Sequence, residues 1–320
     1  MRSLRLHSFG GPEVLSLDEV PVPAPGPGEV RVAVHAAGLN FADTERRRGL
    51  YLAGEPLPDT LGFEGAGVVE ALGPGVASRW LGQRVAFLAP RAHAQACVVP
   101  EHRLIALPDA LDFVTGAAFP VQALTAWHLV HTVGRVQPGE AVLVHSAAGG
   151  VGQLVVQVAA EAGALVLGSV SREAKRAVVL HRGGRAALVR DERFVDALLA
   201  QTDGRGVDVV LEAIGRDVAA DVPRCLAPFG RWVTYGASSG EAPPLALEAL
   251  LERSLSVQGF WLRTPMPRAV WQAGVDAVVE RLVAGRLRLE VTTCPLEDAA
   301  RAHRRLEAGL TTGKWVFVVG

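Results

Sequence analysis

The segment AVLVHSAAGGVGQLVVQVAAEAG, residues 141–163, constrains the fold of this chain more than any other. A short apolar run enters Ala148-Gly149-Gly150-Val151-Gly152 and passes directly into a helical stretch that Gly163 ends. Such a run before a glycine turn reads as a buried strand, and the longer pattern after it reads as a helix. A strand that turns through glycines into a helix builds an anion site. Glycines let the backbone approach a phosphate closely. The first amides of the helix point at it, at the positive end of the helix dipole. Ala148, Gly149, Gly150, Val151 and Gly152 are therefore expected at a dinucleotide's diphosphate; a purely structural tight turn is the other reading.

The flanking sequence fits that context. Strand-like ALVLGSVS and GVDVVLEAIG alternate with helical REAKRAVVLHRGG and DVAADVPRCLAPFG, and RWVTYGAS repeats the strand pattern. Regular alternation of this kind predicts a parallel sheet covered on both faces. In such folds an acidic residue at the end of the next strand holds the ribose 2′-hydroxyl. Here that strand ends in Ser169-Val170-Ser171-Arg172, with Lys175 close behind and Glu173 only beyond Arg172. A hydroxyl and two cations suit a 2′-phosphate, so NADPH is expected rather than NADH; a solvated first helical turn is the alternative.

The first 110 residues have another character. Short alternating runs such as VRVAVHAAG and GAGVVEALG lie between Gly and Pro clusters, which predicts β-structure. A chain of 320 residues exceeds the size at which single cores stop growing, about 250–300 residues, so two domains are expected. With 49% hydrophobic and 20% charged residues it can bury a large core. A net charge of −1 gives no basic footprint for nucleic acid and no polybasic membrane signal. No apolar run reaches the roughly 18–20 residues of a bilayer span, and the opening MRSLRLHSFGGPEVL does not read as a signal peptide, so a cytoplasmic location is expected. Cys97, Cys225 and Cys294 are too few and too scattered for a disulfide framework or a four-cysteine zinc site, and read as small buried hydrophobes. Only Lys175 and Lys314 are lysines among 32 basic residues, which singles both out.

AAGLNFAD (36–43), LPDTLGFEGAGVVEALGPGV (57–76), TAWHLV (125–130), HSAAGGVG (145–152) and TTGKWVFVV (311–319) occur in the order and spacing of a known group. The chain resembles the medium-chain dehydrogenase/reductase superfamily, and within it the zinc-free, zeta-crystallin-like quinone oxidoreductases. The resemblance covers essentially the whole chain. It implies an α/β architecture with a GroES-like β-barrel domain over 1–115 and a Rossmann NADP-binding domain over 116–262. Residues 263–320 would return to the barrel domain, and the active-site cleft would lie between the two. Asn40, Tyr51 and Thr125 would be the catalytic-site residues, with Thr125 near the nicotinamide. Ser171, Arg172, Lys175 and Arg190 would surround the 2′-phosphate. Gly215, Gly236-Ala237-Ser238 and Phe260-Trp261-Leu262 would serve the cofactor largely through backbone groups, and Lys314 would sit near it. The coenzyme domains of this family commonly pair edge to edge through the strand near 255–262, which implies a homodimer.

Two departures matter. AHAQACVVP carries Gln95 and Ala96 where the family often has an acid and an aromatic, so substrate size and shape stay open there. His93 in that stretch reads as a surface-loop histidine, with a cleft position as the alternative. Second, zinc alcohol dehydrogenases of the superfamily carry a Cys in the early loop and a His before the glutamate of Gly-His-Glu. Here the loop is Gly38-Leu39-Asn40, and Phe63 precedes Glu64. Catalytic zinc needs three protein ligands, so no metal is expected. Glu64 then reads as a buried framework carboxylate in need of a partner, with Arg84 or another arginine the expected one. Without a Lewis acid, hydride transfer to a conjugated acceptor such as a quinone is the natural reaction. Tyr51 could supply the proton, or only a ribose or nicotinamide contact. An enoyl or alkenal double-bond reductase and a non-catalytic NADPH-binding protein are the alternatives.

Overall fold

A computed structural model of the chain describes residues 1–51, 56–242, 244–245 and 247–319. Chain contacts divide it into two compact units, Met1–Val121 with Leu282–Gly320, and Gln122–Arg281. Both divisions fall later than the expected limits at 115/116 and 262/263. The second shift has a clear cause. In the helix that covers Arg268–Val283, Gly274 packs against the His128 ring and Arg281 pairs with Glu161 at 2.7 Å, so this helix belongs with the second unit.

The chain opens with β1 (Arg2–Leu6), β2 (Leu15–Glu19), β3 (Glu29–Leu39) and α1 (Phe41–Arg47). Then come β4 (Asp59–Thr60), β5 (Glu64–Leu72), β6 (Arg84–Leu88), β7 (Ala96–Pro100), β8 (Leu104–Ala106), α2 (Phe113–Ala118) and α3 (Pro120–His128). The second unit continues with β9 (Ala141–Val144), α4 (Gly150–Glu161), β10 (Leu165–Val170), α5 (Arg176–His181), β11 (Ala186–Val189) and α6 (Phe194–Ala200). It ends with β12 (Val207–Glu212), α7 (Arg216–Ala219), α8 (Val222–Cys225), β13 (Leu226–Thr234), α9 (Leu247–Arg253), β14 (Ser256–Gly259) and α10 (Arg268–Val283). β15 (Val291–Pro295), α11 (Ala299–Glu307) and β16 (Lys314–Val318) return to the first unit.

In the first unit seven strands join in the order β15-β16-β3-β5-β6-β8, with β7 also paired to β3, while β1 lies between β2 and β4. Alternation explains the core. Val30, Val32 and Val34 point inward from alternate positions of β3 and pack with Val85, Phe87 and Val99. Gly67 of LGFEGAG serves strand contact: a Cβ there would lie 1.9 Å from the Ala33 carbonyl oxygen on the paired strand β3. A second cluster joins Leu4, Leu6, Leu39 and Leu61 to Trp315 and Phe317 of β16.

In the second unit six parallel strands run β11-β10-β9-β12-β13-β14. Counted along the chain this is the 3-2-1-4-5-6 order of the doubly wound dinucleotide fold. The AVLV of β9 is buried at every position because a central parallel strand has elements on both faces. Leu143 at its middle packs with Leu167, Phe194, Leu198, Val210 and Trp232. Leu143→Ala should cost roughly 2–5 kcal/mol through lost transfer energy and the cavity left behind. Thermal unfolding followed by circular dichroism checks this: the midpoint falls by several degrees, and an unchanged midpoint would place Leu143 outside the core.

Candidate functional site

In the second unit the residues expected at the cofactor share one edge. Ala148 to Gly152 follow β9, Ser171 to Lys175 follow β10, Arg190 follows β11 and Gly215 follows β12. Gly236 to Ser238 follow β13, and Phe260 to Leu262 follow β14. Because these strands are parallel, every one of these segments leaves the sheet at its carboxyl end. Open parallel sheets bind ligands there, at the point where strand order reverses, and here that point is β9 between β10 and β12.

The turn after β9 is built by its own backbone. Ser146 takes a left-handed conformation, φ 52°, uncommon for a residue with a side chain. Its carbonyl accepts the Gly149 amide at 2.8 Å. The same oxygen would lie 2.3 Å from a Cβ on Gly152, so that glycine is required by the turn itself. Gly150 is also more than an opening for phosphate: a Cβ there would lie 2.3 Å from Oε1 of the chain's own Gln122. Gly149 caps α4 without a side-chain hydrogen bond, and the first amides of a helix have no partner within it. Two further groups brace the turn. Gln153 Nε2 donates to the Ala148 carbonyl at 3.0 Å, and His145 Nδ1 bonds Ser169 Oγ at 2.8 Å. Burial, then the charge of Arg190, pushes the His145 pKa down to about 3, so this ring is neutral. Ser146, His145 and Gln153 were not singled out by sequence; their only signal was proximity to the glycines.

The register Val170↔Val189 between β10 and β11 brings Ser171 and Arg190 out side by side. Ser171 and Arg172 are exposed and Lys175 is half-buried. Burial, then the neighbouring Arg172 charge, lowers the Lys175 ammonium below its ordinary pKa. An ammonium that a neighbouring cation disfavours marks a place where an anion is stabilising. The nearby acid, Glu173, pairs instead with Arg176 at 2.9 Å. On the other half of the edge, Ser238 N donates to Ala213 O and Phe260 N to Thr234 O, both at 2.9 Å. Gly215, φ 90°, leaves no room for a side chain beside the Glu241 carbonyl, and its amide donates to Glu212 Oε2 at 2.9 Å. Trp261 is 46% exposed, while Leu262 is buried and Thr125 of α3 is 7% exposed.

In the first unit Asn40, Glu64 and Lys314 meet in a buried cluster. Glu64 Oε1 accepts from Lys314 Nζ at 2.5 Å and from Asn40 Nδ2 at 2.7 Å. Lys314 Nζ also donates to Asn40 Oδ1 at 2.7 Å, so the Asn40 amide is held from both ends. Glu64 Oε2 accepts the Val121 amide at 2.6 Å, in the first turn of α3. The partner of Glu64 is thus a lysine and not the expected arginine. Arg84 is engaged elsewhere, with Asp109 at 3.1 Å, the Leu111 carbonyl at 2.6 Å and the Phe113 ring. Gly38 makes the space, since a Cβ there would lie 2.6 Å from Glu64 Oε1. Below Asn40, its own amide and that of Gly62 donate to the Asp43 carboxylate at 2.7 and 3.1 Å. Burial raises the Asp43 pKa, while His93, the Asn40 amide and Lys314 oppose that rise.

His93 is not a surface-loop residue. It is fully buried, with Nε2 donating to the Gly38 carbonyl at 3.0 Å and the ring edge-on to Phe317. Gln95 is likewise structural, since its Oε1 accepts the Arg2 amide at 2.8 Å. Tyr51 packs edge-on against Phe63, ring centroids 5.5 Å apart. The three cysteines are buried and unlinked, and burial pushes their thiols up to about 12 at Cys97 and Cys225 and about 11 at Cys294. Among the described residues, no group of three or more His, Cys, Asp or Glu is arranged to hold a metal ion, and no helix is long and apolar enough to cross a membrane.

The cluster makes a sharp prediction. Lys314→Met strands a buried carboxylate and should cost about 3–5 kcal/mol of stability. Adding Glu64→Gln should recover part of that loss. Paired urea unfolding curves measure both; a Lys314→Met cost below about 1 kcal/mol would contradict a buried ion pair.

Residues 26–119 match the alcohol dehydrogenase GroES-like domain, and residues 150–280 match the family described as zinc-binding dehydrogenase. A 2-haloacrylate reductase from a Burkholderia species is 36% identical, over 98% of this chain and 97% of its own length. A quinone oxidoreductase from Pseudomonas aeruginosa is also 36% identical, over 99% of each chain. The crystal structure of the Escherichia coli quinone oxidoreductase complexed with NADPH superposes with a TM-score of 0.95 at 32% identity, over 99% of this chain and all of that one. With a GroES-like domain, a 3-2-1-4-5-6 parallel sheet and full-length similarity to these enzymes, the chain belongs to the medium-chain dehydrogenase/reductase superfamily, in its quinone oxidoreductase branch.

Proposed function

We propose that this protein is an NADPH-dependent reductase that delivers hydride to a quinone or related conjugated carbonyl without help from a metal ion. The observation that carries the reading is the carboxyl edge of the second unit's sheet. A helix start with no side-chain cap and a group of cations follow adjacent strands there, the chemistry that a diphosphate and a 2′-phosphate call for. NADPH, when bound, supplies the hydride. Arg172, Lys175 and Arg190 hold the 2′-phosphate, and Ala148 to Gly152 hold the diphosphate. Gly215, Gly236 to Ser238 and Phe260 to Leu262 orient the nicotinamide half, with Thr125 beside it. Asn40, fixed by Lys314 and Glu64, and Tyr51 position the acceptor; Lys314 acts through Asn40.

A conjugated acceptor spreads the incoming charge over its own π system, so the protein's task is orientation. The resemblance puts Phe63 at the position of the zinc enzymes' His, and the loop Gly38-Leu39-Asn40 holds no Cys, which supports the metal-free reading. The proton comes from solvent or the Tyr51 hydroxyl. One relative is named for reduction of 2-haloacrylate, an activated double bond, at the same identity as one named for quinones. That observation favours carbon–carbon double-bond reduction as the second reading.

Purified protein with NADPH and EDTA should reduce benzoquinone or phenanthrenequinone, and comparing kcat/KM with that for 2-haloacrylates and enones separates the two readings. Tight NADPH binding with no turnover on any of them would sink both and leave a non-catalytic binding protein. Lys175→Ala should weaken NADPH by roughly 10–100-fold and NADH far less, as loss of a charged hydrogen bond to phosphate requires. Equal losses would reject the phosphate assignment.

The homodimer and the cytoplasmic location belong to the same reading. β14 is the last strand of its sheet, and Leu247 and Leu251 of α9 are 65% and 80% exposed. An open edge beside exposed apolar residues favours pairing with a second copy. Sedimentation equilibrium should give twice the 33.7 kDa chain mass; a monomer at micromolar concentration would reject the dimer.

A further inference from the structure

Gly150 faces the side chain of Gln122. A Cβ built on Gly150 would meet Gln122 Oε1 at 2.3 Å, Nε2 at 2.5 Å and Cδ at 2.6 Å. Gln122 lies on α3, two residues after Pro120, and is 8% exposed. Gly150 is the first residue of α4, and Gly149 to Val151 keep partial exposure. The primary amide of Gln122 is therefore pressed against the first turn of α4, beside amides that no cap side chain engages. A hydrocarbon side chain would fill the same space. An amide there places an N–H donor next to the backbone donors of the turn, whichever way the amide is turned.

We propose that Gln122 is a further ligand of the dinucleotide, donating from Nε2 to the diphosphate held at the start of α4. Gly150 is then glycine for two reasons: access of the diphosphate, and close approach of the side chain that helps to hold it. Specificity follows from the charge type. A neutral donor adds to the field of the helix terminus without competing with the cations at Lys175 and Arg190 for the 2′-phosphate. This inference rests on the reading that the turn binds NADPH.

The test measures binding, not turnover. Gln122→Leu keeps the volume and removes the donor; Gln122→Glu keeps the shape and adds a negative charge. NADPH and 2′-AMP, which has a 2′-phosphate and no diphosphate, are titrated into wild type and both variants by calorimetry. Gln122→Leu should weaken NADPH about ten-fold, the scale of one hydrogen bond to a charged oxygen, and leave 2′-AMP unchanged. Gln122→Glu should weaken NADPH further, and more at low salt than at high salt. Unchanged NADPH affinity in both variants would overturn the proposal, as would equal losses for NADPH and 2′-AMP. A wild type that binds neither ligand would instead remove the parent reading. Lys175→Ala is the converse control, losing affinity for both ligands.

Discussion

A single buried carboxylate ties the first unit together. Glu64 on β5 accepts from Lys314 on β16, from Asn40 at the entry to α1 and from the Val121 amide at the start of α3. An ionised carboxylate without partners in a dry interior costs several kcal/mol, so each of these segments is required to arrive in register. Gly38 on β3 has no side chain because the carboxylate occupies its space. The ion pair thus explains local sequence at several separated places, and it sets the orientation of the Asn40 amide.

The second unit depends on topology rather than on a charge. Parallel pairing of β9 to β14 sends the segment after every strand to one edge, and the reversal of order at β9 leaves the opening there. Local strain finishes the work. Ser146 in a left-handed conformation turns the chain, His145 and Ser169 brace it, and the helix start is left with amides to offer. Strain of this kind persists where the surroundings over-determine it, and it concentrates at functional sites.

What the sequence revealed follows from how far its signals reach. The turn at 148–152 was legible because strand, glycines and helix are contiguous, and period and turn chemistry are local properties. The two-part architecture was legible through several motifs in order. The Lys314–Glu64 pair was not, because its partners are 250 residues apart and nothing in LGFEGAG names a lysine. Thirty arginines made an arginine the natural guess, whereas the core selected one of two lysines. His93 within AHAQACVVP read as a surface-loop histidine. Its burial is set by the Gly38 carbonyl and Phe317, both distant in sequence. Gly150 was read as an opening for phosphate, and the approach of Gln122 becomes visible only when α3 and α4 are brought together.

The account's central claim is hydride transfer from NADPH to a conjugated acceptor, with the protein serving to hold and orient. The most direct measurement is a single turnover with NADPH deuterated at nicotinamide C4, in EDTA, against an enone whose product is analysed by mass spectrometry and NMR. The account predicts one deuterium per product, placed at the β-carbon by one of the two C4 labels only, and a slowed decay of NADPH absorbance with that label. Product without deuterium from either label, or turnover abolished by EDTA and restored by zinc, would contradict it.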